Sequence, residues 1–137
     1  MSYMTPEMWT KLKYFKPTEN WGNPAMMDSN LIYILEFMRI YVNKPIQIHC
    51  GYSLDGHSPQ SFHYKGLAVD LHIVELNLLD QYLVAELFDF RGIGVYPYWN
   101  TPGLHLDIRP SDEIGKQTRW YQDKDKKYHP LTSIAFS

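Results

Sequence analysis

Two short runs of strict alternation constrain this chain more than any other feature. From Leu67 to Ile73, residues Leu67, Val69, Leu71 and Ile73 fall on one side, and Ala68, Asp70 and His72 on the other. From Leu104 to Arg109 the pattern recurs, with Leu104, Leu106 and Ile108 opposed to His105, Asp107 and Arg109. A period of two marks a half-buried strand, so each run predicts a strand with one aliphatic core face and one face of carboxylates and imidazoles. Pairing the two strands would gather Asp70, His105 and Asp107 in one polar patch.

The remaining pattern supplies elements to cover the aliphatic face. Thr5, ahead of Pro6 and Glu7, can cap a short helix. Asp28 or Ser29 can cap a longer one to about Asn43, with Leu31, Ile34, Leu35, Met38 and Val42 on one face and Pro45 as its stop. Ile46 to Cys50 alternates as a strand, and Gly51 onwards, with Asp55, Gly56, Ser58 and Pro59, reads as a long irregular loop of the kind that often carries function. A second amphipathic helix is expected from Asn77, with Leu79, Tyr82, Leu83, Leu87 and Phe90 inward, Asp80 and Glu86 outward, and Gly92 or Gly94 closing it. Ile93–Tyr96 and Leu104–Ile108 should form a hairpin around Asn100-Thr101-Pro102-Gly103, where Pro and Gly suit a type II turn. The stretch 111–137 is weakly patterned apart from Arg119-Trp120-Tyr121. These elements imply an α+β fold, with helices on one side of a largely antiparallel sheet.

Composition excludes several classes. A length of 137 residues suits one domain spanning 1–137. With 13 Lys+Arg against 15 Asp+Glu there is no basic field, so nucleic acid is not an expected partner. No apolar run approaches the roughly 18–20 residues a membrane span needs. The first residues mix Glu7, Lys11 and Lys13 into their apolar positions, unlike a secretory signal, so synthesis in the cytoplasm without an export signal is expected. Cys50 is the single cysteine, so any staple beyond the core must be a metal.

The chemistry lies in Ser61-Phe62-His63-Tyr64-Lys65-Gly66-Leu67-Ala68-Val69-Asp70, taken with Gly103-Leu104-His105-Leu106-Asp107. His63 sits just upstream of the first alternating strand, in a turn that Gly66 can bend back toward Asp70. Two imidazoles and one carboxylate are the ligand chemistry of a catalytic zinc site, which leaves the fourth position to water. Ala68, on the same face, is small enough to leave room for a metal or substrate.

The pattern Ser61-x-His63-x-x-Gly66-x-Ala68-x-Asp70 resembles that of the zinc D-alanyl-D-alanine carboxypeptidases and dipeptidases and the related bacterial and phage murein endopeptidases, which share a fold with the hedgehog signalling domain. Gly94-Val95-Tyr96-Pro97, the run Leu104 to Arg109 and Arg119-Trp120 are similar to the short branch of that family, whose core ends in a His-x-Asp strand and an Arg-Trp pair. The resemblance spans about residues 46–120. It implies a hedgehog/D,D-peptidase-like fold, zinc as cofactor, His63, Asp70 and His105 as ligands, and Ser61, Arg109 and Tyr96 at the substrate.

Two departures from the family pattern matter. Members commonly place a glutamate three residues before the last histidine as general base; Pro102 stands there, and Asp107 is the candidate in its stead, either as catalytic base or as the group that orients the His105 ring. Members also carry an arginine after the Gly-Tyr that ends the preceding strand, where this chain has Gly51-Tyr52-Ser53, and Arg109 is the substitute. His49, His57, His72 and His129 read as ordinary polar residues, although His72 shares a face with Asp70 and could ligate or line the cleft. Cys50 reads as a small buried hydrophobe, and Tyr96, Tyr98, Trp99 and Trp120 as packing or as a cleft wall for glycan. The expected function is a monomeric zinc metallopeptidase acting on peptidoglycan stem peptides or D,D cross-links, as carboxypeptidase or endopeptidase, in the manner of a phage-type endolysin released by lysis or a partner. The rivals are a cytoplasmic D-Ala-D-Ala dipeptidase and a zinc-containing binding module without turnover.

Overall fold

The computed structural model of the chain describes residues 2–110 and 117–137. Its centre is a six-stranded sheet in the order β1-β2-β4-β3-β5-β6, built from β1 (Ile46–Cys50), β2 (Ala68–Ile73), β3 (Gly92–Tyr96), β4 (Gly103–Asp107), β5 (Thr118–Gln122) and β6 (Tyr128–Pro130). Every pairing is antiparallel except β3 with β5. With helices α1 (Pro6–Thr10), α2 (Ser29–Val42) and α3 (Leu78–Glu86), the architecture is α+β.

Local chemistry accounts for the helix boundaries. Thr5 accepts from the Met8 amide, with Pro6 behind it. Asp28 accepts from the amides of Asn30 and Leu31, and α2 ends where Asn43 turns left-handed. Buried Glu36 on α2 accepts from the amides of Lys13, Tyr14 and Phe15, which ties the segment after α1 to the helix layer. The aliphatic sides of the strands, among them Val69, Leu71, Ile93, Val95, Leu104 and Leu106, pack with Leu31, Leu35 and Met38 of α2 in one core.

Three expectations need correction. The buried positions of α3 are Gln81 and Ala85, whereas Leu79, Leu83 and Leu87 are exposed. The cause is polar: Gln81 turns inward to accept from the Ile73 amide and to donate to the Leu76 carbonyl, two groups that the end of β2 leaves without ladder partners. Gly92 and Gly94 do not close α3 but lie within β3, and Gly103 opens β4 instead of sitting in the turn, so the hairpin loop is 97–102. The weakly patterned C-terminal stretch holds β5 and β6; its residues 111–116 lie outside the described ones. No helix among the described residues is long and apolar enough to cross a membrane.

Replacing Gln81 with Leu removes both inward hydrogen bonds while conserving bulk. A loss of about 2 kcal/mol is expected in urea unfolding, since an unsatisfied buried amide costs about 1–3 kcal/mol.

Candidate metal centre

The register places one row of residues across all six strands on the sheet face away from the core: Cys50, Asp70, His105, Gly94, Trp120 and Pro130 stand successively opposite one another. Asp70 and His105 are thus direct cross-strand neighbours, close enough for their side chains to meet. In the next row Asp107 lies between Ala68 and Gly92. The glycines of β3 are cut-outs. A Cβ on Gly92 would lie 2.3 Å from a carboxylate oxygen of Asp107, and one on Gly94 would lie 2.5 Å from the Trp120 ring.

His63 reaches this row from a short 3-10 turn, Phe62–Lys65, capped by the Ser61 hydroxyl, which accepts from the His63 amide. The turn ends at Gly66, at φ +70°, where a Cβ would lie 1.8 Å from the Met26 carbonyl oxygen, so only glycine fits. His63 is buried, and its Nδ1 is 2.8 Å from the Gly51 carbonyl oxygen. A carbonyl can only accept, so Nδ1 carries the hydrogen and Nε2 faces Asp70 Oδ1 at 3.1 Å. His105 is set in the same way. Its Nε2 lies 2.8 Å from Asp107 Oδ2 and donates to that carboxylate, leaving Nδ1 turned to Asp70 Oδ1 at 3.1 Å.

Two imidazole nitrogens therefore converge on one carboxylate oxygen, each with its opposite nitrogen committed to an acceptor. Unprotonated, they would point lone pairs at an anion, so the arrangement demands a proton or a cation between them. In a tetrahedral ion with bonds of about 2.0–2.1 Å the ligand atoms are separated by about 3.3 Å. The two 3.1 Å separations fit that edge, and His63, Asp70 and His105 form a group whose ligand atoms all lie within 4.8 Å of one another. Solvent reaches the centre on the Asp70 side, where the carboxylate side chain is 15% exposed at the floor of a cleft of about 900 Å³.

The electrostatics show the same strain between burial and pairing. Burial opposes the charged form of Asp70, but hydrogen bonds from His105 and His63 outweigh it and hold the carboxyl far below its ordinary range. Burial likewise lowers His63, yet its hydrogen bonds to Asp70 and Cys50 carry it up to about 10. His105 is shifted upward by Asp107 and Asp70 against the same burial.

Asp107 is fully buried, and its oxygens accept from His105 Nε2, from Arg109 Nε at 2.9 Å and Nη2 at 2.7 Å, and from the Arg109 amide. It lies on the His105 nitrogen that points away from Asp70. Arg109 lines the cleft, with its guanidinium spent bidentately on Asp107 and lying against the rings of Phe62 (4.8 Å) and Trp120 (5.2 Å). Ser61 and Tyr96 also line the cleft; the Tyr96 hydroxyl accepts from Trp120 Nε1 and its ring stacks on Trp99 at 4.1 Å. Arg119 is drawn elsewhere, pairing with Glu86 and donating to the Phe90 and Arg91 carbonyls, which fastens β5 to the α3 side. His72 meets His49 at 2.6 Å on the sheet face and joins neither group of metal-ligating atoms.

From the sequence Cys50 reads as a small buried hydrophobe and His57 as an ordinary polar residue, whereas Cys50 is only half-buried and its sulfur faces His57 and His63. His57 stacks on His63, centroids 4.1 Å apart, and lines the cleft. The Cys50–Asp70 pairing follows a β-bulge after Ile48, a feature no local pattern announces.

Comparison with known proteins bears on this site. No protein-family model matches the chain. A protein of Haemophilus influenzae named as the probable peptidoglycan L,D-endopeptidase MepK is 28% identical over 120 residues, covering 77% of this chain. The match takes in 63% of that protein, so the chain spans about three-fifths of the relative's length.

The charge arrangement predicts opposite pH responses with and without metal. After chelation, the stabilisation from His63, whose folded value is raised from 6.5 to about 10, is fully present below pH 6.5 and lost as pH climbs through about 10. That from Asp70, lowered from 3.8, is present above pH 3.8 and lost on acidification. The Tm of chelated protein should therefore decline from pH 6.5 to 10. Zinc-loaded protein, whose ligands have shed their protons, should hold its Tm or gain over the same window.

Proposed function

We propose that this chain is a metal-dependent peptidase, with zinc as the cofactor, that hydrolyses peptide bonds in peptidoglycan. The observation that carries the reading is the convergence of His63 Nε2, His105 Nδ1 and Asp70 Oδ1 at the floor of an open cleft, with no further described ligand on the solvent side. A bound zinc ion would supply a water of lowered pKa and polarise the scissile carbonyl. The likeness to a protein named as a peptidoglycan endopeptidase supports the substrate class, and the Ser-x-His-x-x-Gly-x-Ala-x-Asp pattern supports the hedgehog/D,D-peptidase fold.

The chain's own groups divide the remaining work. Asp107 is read as the positioning group for His105 and not as the base, because it is buried and faces the ring from behind. Arg109 holds Asp107 in place while its flat guanidinium, between Phe62 and Trp120, forms one wall of the cleft. Tyr96, Trp99 and Trp120 give that cleft the aromatic surface on which a sugar or peptide plane can lie. Among the described cleft residues, His57 is the one Asp, Glu or His side chain outside the ligand set, and it is read as the acceptor of the attacking water's proton. The described fold is read as a catalytic unit, with the cell wall as its place of action.

Incubation with purified sacculi should release muropeptides in a chelator-sensitive manner, with activity restored by zinc, and product masses separate a D,D cut from an L,D cut. Release that survives chelation and Asp70→Asn would defeat the proposal. Bound zinc without any release would favour the binding-module alternative. Asp107→Asn is expected to weaken zinc binding roughly tenfold or more, with turnover falling in step; loss of turnover at full zinc occupancy would return Asp107 to the role of base.

A further inference from the structure

We infer that Cys50, His57 and His63 form a second metal position, suited to a thiophilic divalent cation, that shares the His63 ring with the centre described above. Cys50 Sγ lies 3.5 Å from His57 Nε2 and 3.9 Å from His63 Nδ1, and the three ligand atoms all fall within 4.8 Å of one another. A tetrahedral ion bonded at about 2.3 Å to sulfur and about 2.0–2.1 Å to nitrogen separates those atoms by about 3.5–3.6 Å. The Cys50–His57 pair meets that spacing as it stands, and the Cys50–His63 pair is a few tenths of an ångström longer.

The surrounding structure holds these donors in place. The Tyr64 hydroxyl accepts from the His57 amide at 2.9 Å and donates to the His57 carbonyl at 2.7 Å, so the residue next to His63 clamps the loop that bears His57. The His57 ring is stacked face to face on that of His63, 14° from parallel, so it must turn about its side-chain bonds for both rings to aim a nitrogen at one ion. Cys50 follows the β1 bulge and stands opposite Asp70. Its thiol donates to the Gly51 carbonyl, which leaves the sulfur lone pairs toward the two imidazoles. Cys50 and His57 are only half-buried, so an ion can enter from solvent.

Occupation balances simply: one dication enters, and the Cys50 thiol proton and the His63 Nδ1 proton leave to solvent with no change of oxidation state. His63 gives up its hydrogen bond to the Gly51 carbonyl and bridges both positions as an imidazolate. A cation there engages His57 and alters the donor strength of His63, so this position is a route to inhibition by excess thiophilic metal. The metal position rests on these three residues alone, and the inhibition rests also on the hydrolytic reading.

Titration of the chelator-stripped full chain with Co²⁺, followed by equilibrium dialysis and by the sulfur-to-cobalt charge-transfer band, tests it. The wild type should take up a second equivalent with which the sulfur band grows. Cys50→Ser should remove the band, and His57→Gln should weaken the second equivalent at least about tenfold, as loss of a direct ligand exceeds the roughly 10–100-fold effect of losing its support. Asp70→Asn should lose the other equivalent and keep the sulfur band. Saturation of the wild type without a sulfur band overturns the second position, and leaves the hydrolytic reading standing if Asp70→Asn abolishes the binding that remains. An Asp70→Asn chain that binds metal as the wild type does, sulfur band included, supports the second position and counts against the hydrolytic reading.

Discussion

Asp70 faces His105 across the β2–β4 ladder, and the polar chemistry of the molecule is organised about that pair. An antiparallel register is all-or-none: a slip of one residue would send His105 into the aliphatic core and Leu104 or Leu106 to the solvent face. The core therefore enforces the site. Val69, Leu71, Leu104 and Leu106 are fully buried on one side, and their burial leaves the carboxylate and imidazole no other place to go.

Once the pair is in place, its neighbours act by subtraction as much as by contact. Gly92 and Gly94 vacate the space taken up by the Asp107 carboxylate and the Trp120 indole. Asp107 in turn fixes the His105 tautomer, and Arg109 compensates a carboxylate with no access to water. A run of hydrogen bonds thus leads from Arg109 in the cleft wall through Asp107 to the His105 ring.

What could be read in advance follows from how local each signal is. The period-two runs displayed β2, β4 and their polar face directly, and Thr5 and Asp28 announced their helices by capping chemistry. The inward side of α3 was misread because an apolar count cannot see Gln81 satisfying the end of a neighbouring strand. Strand β5 escaped notice because its mixed burial leaves no alternation and its parallel partner β3 is remote in sequence. Asp107 was left with two roles, since residues two apart on a strand share a face whichever way an imidazole turns between them. Cys50 ends β1 and His57 lies seven residues on in the loop, where contacts invisible as a pattern, the Tyr64 hydroxyl on the His57 backbone among them, bring the two side chains together.

The parallel pairing of β3 with β5 also closes the longest loop between neighbouring strands on that side of the sheet. β5 pairs with the edge of β3 opposite β4, and that closure spans a longer stretch of chain than the β3–β4 hairpin. His63, Asp70 and His105 all precede Trp120, so as the polypeptide leaves the ribosome the candidate metal ligands are delivered before the Trp120 ring that flanks them. An ion captured at that moment would act as a folding ligand, drawing β2 and β4 together while the far side of the groove was still unbuilt.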